Sequence, residues 1–160
     1  MRLVQILVEV KSNFKMTKQI YIIHENDEWV VPLREELKKI NAPYKEWHMD
    51  REKIDFSNIP PNGVFYNRMS ASSHTRGHRY APEDTKIVLN WLEDYNRRII
   101  NNSRALELEI SKKKQYQELK KYNIKFPKTF FCKDKNSLLK NSNNFEKQFI
   151  TKHNRGGRGL

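Results

Sequence analysis

Short apolar runs, separated by polar turns and a few amphipathic stretches, set the rhythm of this chain. Residues 19–24 (Gln-Ile-Tyr-Ile-Ile-His) are apolar at consecutive positions, as in a strand buried on both faces. The polar turn His24-Glu25-Asn26-Asp27 follows, with Asp27 placed to cap the next helix. Pro32 fits a first helical turn, and Leu33, Leu37 and Ile40 recur at helical spacing. Asn41-Ala42-Pro43 stops that helix. Residues 44–48 form a second strand, and after the turn Pro60-Pro61-Asn62-Gly63 residues 64–66 form a third. The order strand, helix, strand, turn, strand predicts an α/β unit around a short parallel sheet.

Pro82-Glu83-Asp84 opens a further helix, with Ile87, Val88, Trp91, Leu92 and Tyr95 as its apolar face. Residues 98–100 read as a fourth strand, and Asn101-Asn102-Ser103 caps a short helix to Glu109. Ser111 caps the next helix, in which Tyr116 and Leu119 can face a core, and Tyr122-Asn123 ends it. Residues 127–132, 137–140 and 149–152 then read as strand, helix and strand, the opening of a smaller α+β domain. Three units are expected: an extension over 1–18, an α/β domain with a linking helix over 19–123, and the start of a second domain over 124–160. The apolar stretch near the amino end lacks the length and cleavage site of a secretory signal. Met16, just before the first convincing strand, is the expected natural start.

Two segments break the hydrophobic rhythm. Residues 67–80 place Arg68, Arg76, Arg79, His74, His78 and several hydroxyls directly after a strand. Ligands of open α/β sheets sit beyond the carboxyl ends of strands, and arginines there can clamp a carboxylate or phosphate. Asn67, Arg68, His74 and Arg76 are therefore candidate substrate contacts, against a solvated polar connection as the plainer reading. His74 and His78 lack a nearby carboxylate or cysteine ligand, so no metal site is expected from them. The second segment is Asn154-Arg155-Gly156-Gly157-Arg158-Gly159, directly after the strand-like run Phe149-Ile150-Thr151-Lys152-His153. Glycines at this density let the backbone approach a ligand and present N–H groups to an anion. A disordered tail or an Arg-Gly-Gly RNA-binding segment is the alternative.

Charge sharpens the picture. The net charge of +12 lies mostly in the second part: residues 1–100 carry 16 Lys and Arg against 14 Asp and Glu, residues 101–160 carry 15 against 5. That part attracts phosphates or polyanions. Lys112, Lys113 and Lys114 crowd a helix start, where cations oppose the macrodipole and a bound anion relieves the conflict. The single cysteine, Cys132, excludes an internal disulfide, suits a reducing, cytoplasmic setting and is expected to be buried and inert. No apolar run approaches the length of a membrane span.

Taken in order, Asn102-Ser103-Arg104-Ala105, Ser111-Lys112, Asn123-Ile124-Lys125-Phe126-Pro127-Lys128-Thr129, Phe149-Ile150-Thr151-Lys152 and the glycine run resemble the ATP-grasp superfamily, especially its RimK-like, glutamate-ligase branch. The resemblance is best over 99–160. It implies a pre-ATP-grasp domain followed by a truncated ATP-grasp small domain. It further implies an ATP- and Mg²⁺-dependent carboxylate–amine ligase that works through an acyl phosphate. Lys112, Lys152, Arg155, Gly156, Gly157, Arg158 and Gly159 fall at its ATP-contacting positions, Ser111 standing where an Asp is common. The small carboxylate or peptide substrate would meet the loop after Arg68. The family's magnesium ligands lie further along than Leu160, so no metal ligand and no turnover are expected of this piece alone. A homo-oligomer is compatible with the sequence. The competing expectation is a basic RNA-binding protein.

Overall fold

The computed structural model describes residues 19–155. The extension over 1–18, Met16 and the glycine run from Gly156 onward lie outside the described residues. The architecture is mixed α/β, built on a four-stranded parallel sheet in the order β2-β1-β3-β4. The strands are β1 (Ile20–His24), β2 (Tyr44–His48), β3 (Val64–Asn67) and β4 (Arg98–Ile100). All five residues of β1 are buried, and it pairs with β2 on one side and β3 on the other. This is the environment that a continuous apolar run requires.

Each face of β1 has its own cover. Ile20 and Ile22 pack with Val30 and Leu37 of α1 (Asp27–Lys39). Tyr21 and Ile23 pack, with Phe65, against Val88, Leu89 and Leu92 of α2 (Ala81–Asp94) and Leu106 of α3 (Ser103–Glu109). Each such side chain stabilises the fold by roughly 1.5–3 kcal/mol on burial. The β2–β3 connection joins the second face through Met49 and Ile54. From β1 the chain runs outward to β2 and then crosses back to β3. The sheet therefore reverses its winding between β1 and β3, where parallel sheets open a crevice.

Several boundaries differ from the sequence expectation. The cap of α1 is Asn26, whose side chain accepts from Trp29 N–H, and not Asp27, which is the first helical residue. Pro32 consequently lies inside the helix and not in its first turn. The buried face of α2 runs Ala81, Thr85, Val88, Leu89, Leu92. That stripe leaves Ile87 and Tyr95 exposed on the outer side. The aperiodic segment after β3 contains a 3-10 helix, Ala71–Arg76, capped by Ser70 and ended by Gly77 at φ 87°. Asn41, Asn96, Asn101 and Asn123 all take positive φ at element ends, a conformation that asparagine tolerates better than most residues.

Beyond α4 (Lys112–Lys121) the only regular element among the described residues is α5 (Lys135–Ser142), longer than the expected helix and capped by Asp134. Residues 127–132 and 149–152 are not strands: neither carries a ladder hydrogen bond among the described residues. β-Branched and aromatic residues report a fit to a pleated surface, not the presence of a partner. Here their side chains are held by rings instead, with Phe145 lying 5.4 Å from Phe130 and 5.2 Å from Phe149.

Gly63 marks the closest approach in the sheet. A Cβ there would sit 2.5 Å from the carbonyl oxygen of Gln19 and 2.8 Å from the Tyr21 ring, and the same carbonyl accepts from Val64 N–H. Neither backbone can retreat without opening β1 from β3. Gly63→Ala is expected to lower unfolding stability by about 1–3 kcal/mol. Urea denaturation followed by far-UV circular dichroism measures it; an unchanged midpoint would show that the two strands can separate freely.

Candidate functional site

Two groups of polar residues are built by this fold, and they meet. The first sits at the carboxyl ends of β1 and β3. Glu25, immediately after β1, is almost fully buried, with 1% of its side chain exposed. A buried carboxylate needs a partner. Arg76 supplies it from the 3-10 helix, through Nη2 to Oε1 and through Nε to Oε2 at 3.2 Å. Arg76 also donates to Ser72 Oγ at 3.1 Å and lies 4.7 Å from the centre of the Trp29 ring. Its guanidinium is thus committed to Glu25 and not free to clamp a substrate.

Asn67 is similarly occupied. Its Nδ2 donates to Asn101 O, its Oδ1 accepts from Met69 N–H, and Asn101 Nδ2 donates back to Asn67 O. This reciprocal clamp fastens β3 to the end of β4. Of the four substrate candidates, Arg68 and His74 remain available. Arg68 donates its backbone N–H to Ile23 O at 2.7 Å, while its exposed side chain lies above the Tyr66 ring with no hydrogen bond to a described residue. His74 is exposed and holds Ala71 O through Nδ1 at 2.9 Å.

The second group is a cavity of about 710 Å³ between α4 and the segment that carries α5. This is the size range of small-molecule sites, about 300–1,000 Å³. Lys112 and Lys152 both line it, with Phe130, Phe131 and Phe149 supplying apolar wall. Lys112 is half-buried, and neither lysine has an ion-pair partner among the described residues. Lys114 instead pairs with Glu107, and Lys113 is exposed and does not line the cavity. Cys132 lines it too and is only half-buried, its Sγ against Ser137 O at 3.6 Å. A triphosphate suits this mixture of ammonium groups and apolar wall. The one carboxylate among the lining residues, Asp134, already accepts from Ser137 N–H as the α5 cap. The lining residues therefore suit an anionic group, with Asp134 Oδ1 engaged at the helix cap.

The start of α4 departs from expectation. Its leading N–H groups are not open to an anion, because Asn154 occupies them. Lys112 N–H donates to Asn154 O, and Lys113 N–H to Asn154 Oδ1, each at 3.0 Å, while Ser111 Oγ takes Lys114 N–H. An anion in the cavity would therefore meet the lysine side chains and not the helix terminus. The same contact ties the chain after Lys152 to α4. Arg155, expected on phosphate, grips Glu83 of α2 through two 2.9 Å bonds and donates to Arg79 O. Its buried Nε alone lacks a partner. His153 lies 6.2 Å from His74, ring to ring, so the segment after Lys152 rests against the loop after β3. Gly156, Gly157, Arg158 and Gly159 lie outside the described residues.

Sequence reasoning missed a third constellation at the ends of β1 and β2. His24 Nε2 donates to Glu46 Oε2 at 3.0 Å. Arg34 reaches Glu46 Oε1 at 2.7 Å and Oε2 at 2.6 Å, and Asp27 Oδ1 at 2.9 Å. Arg51 takes Asp27 Oδ2 at 2.9 Å. The arginine hydrogen bonds hold the carboxyls of Glu46 and Asp27 below their ordinary range. Burial lowers the pKa of His24 and of His48, favouring their neutral forms. The signal available in the sequence was a His at the end of each of two strands.

No known family model, curated protein or solved structure matches the chain.

The Glu25–Arg76 pair makes a test of the structural role assigned to Arg76. Arg76→Met leaves a buried carboxylate alone and is expected to cost about 3–5 kcal/mol. Adding Glu25→Gln should recover much of that loss in thermal or urea unfolding. If Arg76→Met unfolds like the parent chain, the arginine is not holding the loop.

Proposed function

We propose that the chain is the amino-terminal part of an ATP-dependent carboxylate–amine ligase and that the cavity beside α4 receives the nucleotide's phosphates. The observation that carries this reading is the convergence of Lys112 and Lys152, forty residues apart in sequence, on one cavity. Asn154 ties the chain just after Lys152 to the helix that begins with Lys112. Phosphoryl transfer relies chiefly on position and charge stabilisation, to which two ammonium groups lining one cavity would contribute. ATP, when bound, would activate a substrate carboxylate for attack by an amine. The chain's own contribution is to hold the phosphates with Lys112 and Lys152. It also presents Arg68 and His74 from the loop that touches His153, where a carboxylate substrate would lie next to the nucleotide.

Titration of the 160-residue chain with a fluorescent, non-hydrolysable ATP analogue tests the reading. Saturable binding is expected. Lys112→Ala and Lys152→Ala should each weaken it about ten-fold or more, the worth of a charge-assisted contact. Lys113→Ala, which leaves the cavity intact, should change it little. No saturable binding, or equal losses at all three lysines, would overturn the proposal. Equal losses, together with RNA affinity that collapses with added salt, would favour the polyanion reading.

A further inference from the structure

We propose that His24, His48 and Asp27 form a binding site for a divalent transition metal of the zinc class, apart from the lysine cavity. One ring nitrogen of each histidine and one carboxylate oxygen of Asp27 lie within 4.8 Å of one another. His48 Nε2 stands 4.0 Å from Asp27 Oδ2. Zinc-type bonds of about 2.0–2.2 Å place neighbouring ligands about 3.4 Å apart in a tetrahedral shell. Closing the group requires movements of about 1 Å, and the Asp27 side chain, 45% exposed at the start of α1, would make them by loosening its arginine contacts.

The tautomer of His24 points the same way. A carboxylate only accepts, so Glu46 fixes the proton of the neutral ring on Nε2. Nδ1 is then a bare lone pair, buried, with no donor. Such an atom in a side chain 2% exposed is costly unless something fills the position. A metal ion would satisfy it and complete a carboxylate–histidine–metal relay, with Arg34 orienting the carboxylate. Two imidazoles and one carboxylate suit zinc, cobalt or nickel, whereas magnesium and calcium prefer oxygen alone.

Three local bonds oppose the ion, the first being that of Arg34 to Asp27 Oδ1 at 2.9 Å. Arg51 holds Asp27 Oδ2, but its side chain is 64% exposed and can swing away. Asp50 N–H donates to His48 Nδ1 at 3.3 Å, a long bond that is given up when the proton moves to that nitrogen. The site lies at the carboxyl ends of β1 and β2, next to the Glu25–Arg76 pair, and Asp27 opens it to solvent. It stands independently of the ligase reading, since it shares no residue with the lysine cavity.

The test is titration of the untagged 160-residue chain with Co²⁺, followed by visible absorption, with Zn²⁺ displacement afterwards. One Co²⁺ per chain, displaced by Zn²⁺, is expected. His48→Ala and Asp27→Asn should weaken uptake about a hundred-fold or more, because each removes a ligand and not merely an outer contact. His74→Ala should leave it unchanged, which excludes the pair His74 and His153 as the binder. Arg51→Ala should tighten binding about two- to five-fold by removing the competing cation. That gain cannot come from misfolding. Circular dichroism of each variant confirms that the fold persists. Failure to take up one equivalent, or uptake indifferent to His48, Asp27 and Arg51, would overturn the proposal.

Discussion

β1 has no spare surface. Its residues are all buried, its backbone is shared between β2 and β3, and its side chains are taken by α1 on one face and by α2 and α3 on the other. A strand so enclosed can carry chemistry only at its carboxyl end, and there the chain places His24 and Glu25. Both are buried and polar, so both dictate what surrounds them. Glu25 brings in Arg76, and with it the 3-10 helix and the loop after β3. His24 brings in Glu46, which brings in Arg34. The organisation of this end of the sheet follows from burying two titratable side chains beside one another.

That cascade explains which parts of the fold were legible. β1, β3, β4, α2 and α3 could be read because each is specified locally, by a continuous apolar run, a proline near a helix start or an asparagine cap. The start of α1 was misplaced because Asn26 and Asp27 are both competent caps, and Pro32 suggested a later beginning. Only the geometry of the Trp29 N–H bond decides between them. Residues 127–132 and 149–152 were misread for a different reason. Strand composition is local, but a ladder needs a neighbour at the right distance, which no stretch of sequence encodes by itself.

The same distinction separates the candidate site residues. Arg68, Asn67, His74 and Arg76 look alike in sequence, as polar groups after a strand. Tertiary contacts sort them: two are consumed by Asn101 and Glu25, and two stay open. The His24, His48 and Asp27 group shows the converse. Asp27 is close to His24 in sequence, but His48 joins them only because β2 lies parallel to β1 with His24 opposite His48. Parallel pairing places the ends of distant strands side by side, and that register is invisible until the sheet is assembled.

Charge distribution gives the cavity its character. The basic excess of residues 101–160 is not a uniform solvated face. Arg104 and Lys121 pair with Glu118, and Lys114 pairs with Glu107, all outside the cavity. Lys128, at its edge, is engaged with Asn144 O. Lys112, Lys133, Lys135 and Lys152 line the cavity with no ion-pair partner among the described residues. Unpaired cations gathered around a concave, partly apolar surface repel one another, and their mutual field is relieved by an anion that enters between them. At the start of α4 Asn154 already satisfies the first helix N–H groups, so the positive potential of this cavity comes from ammonium side chains and not from the helix terminus.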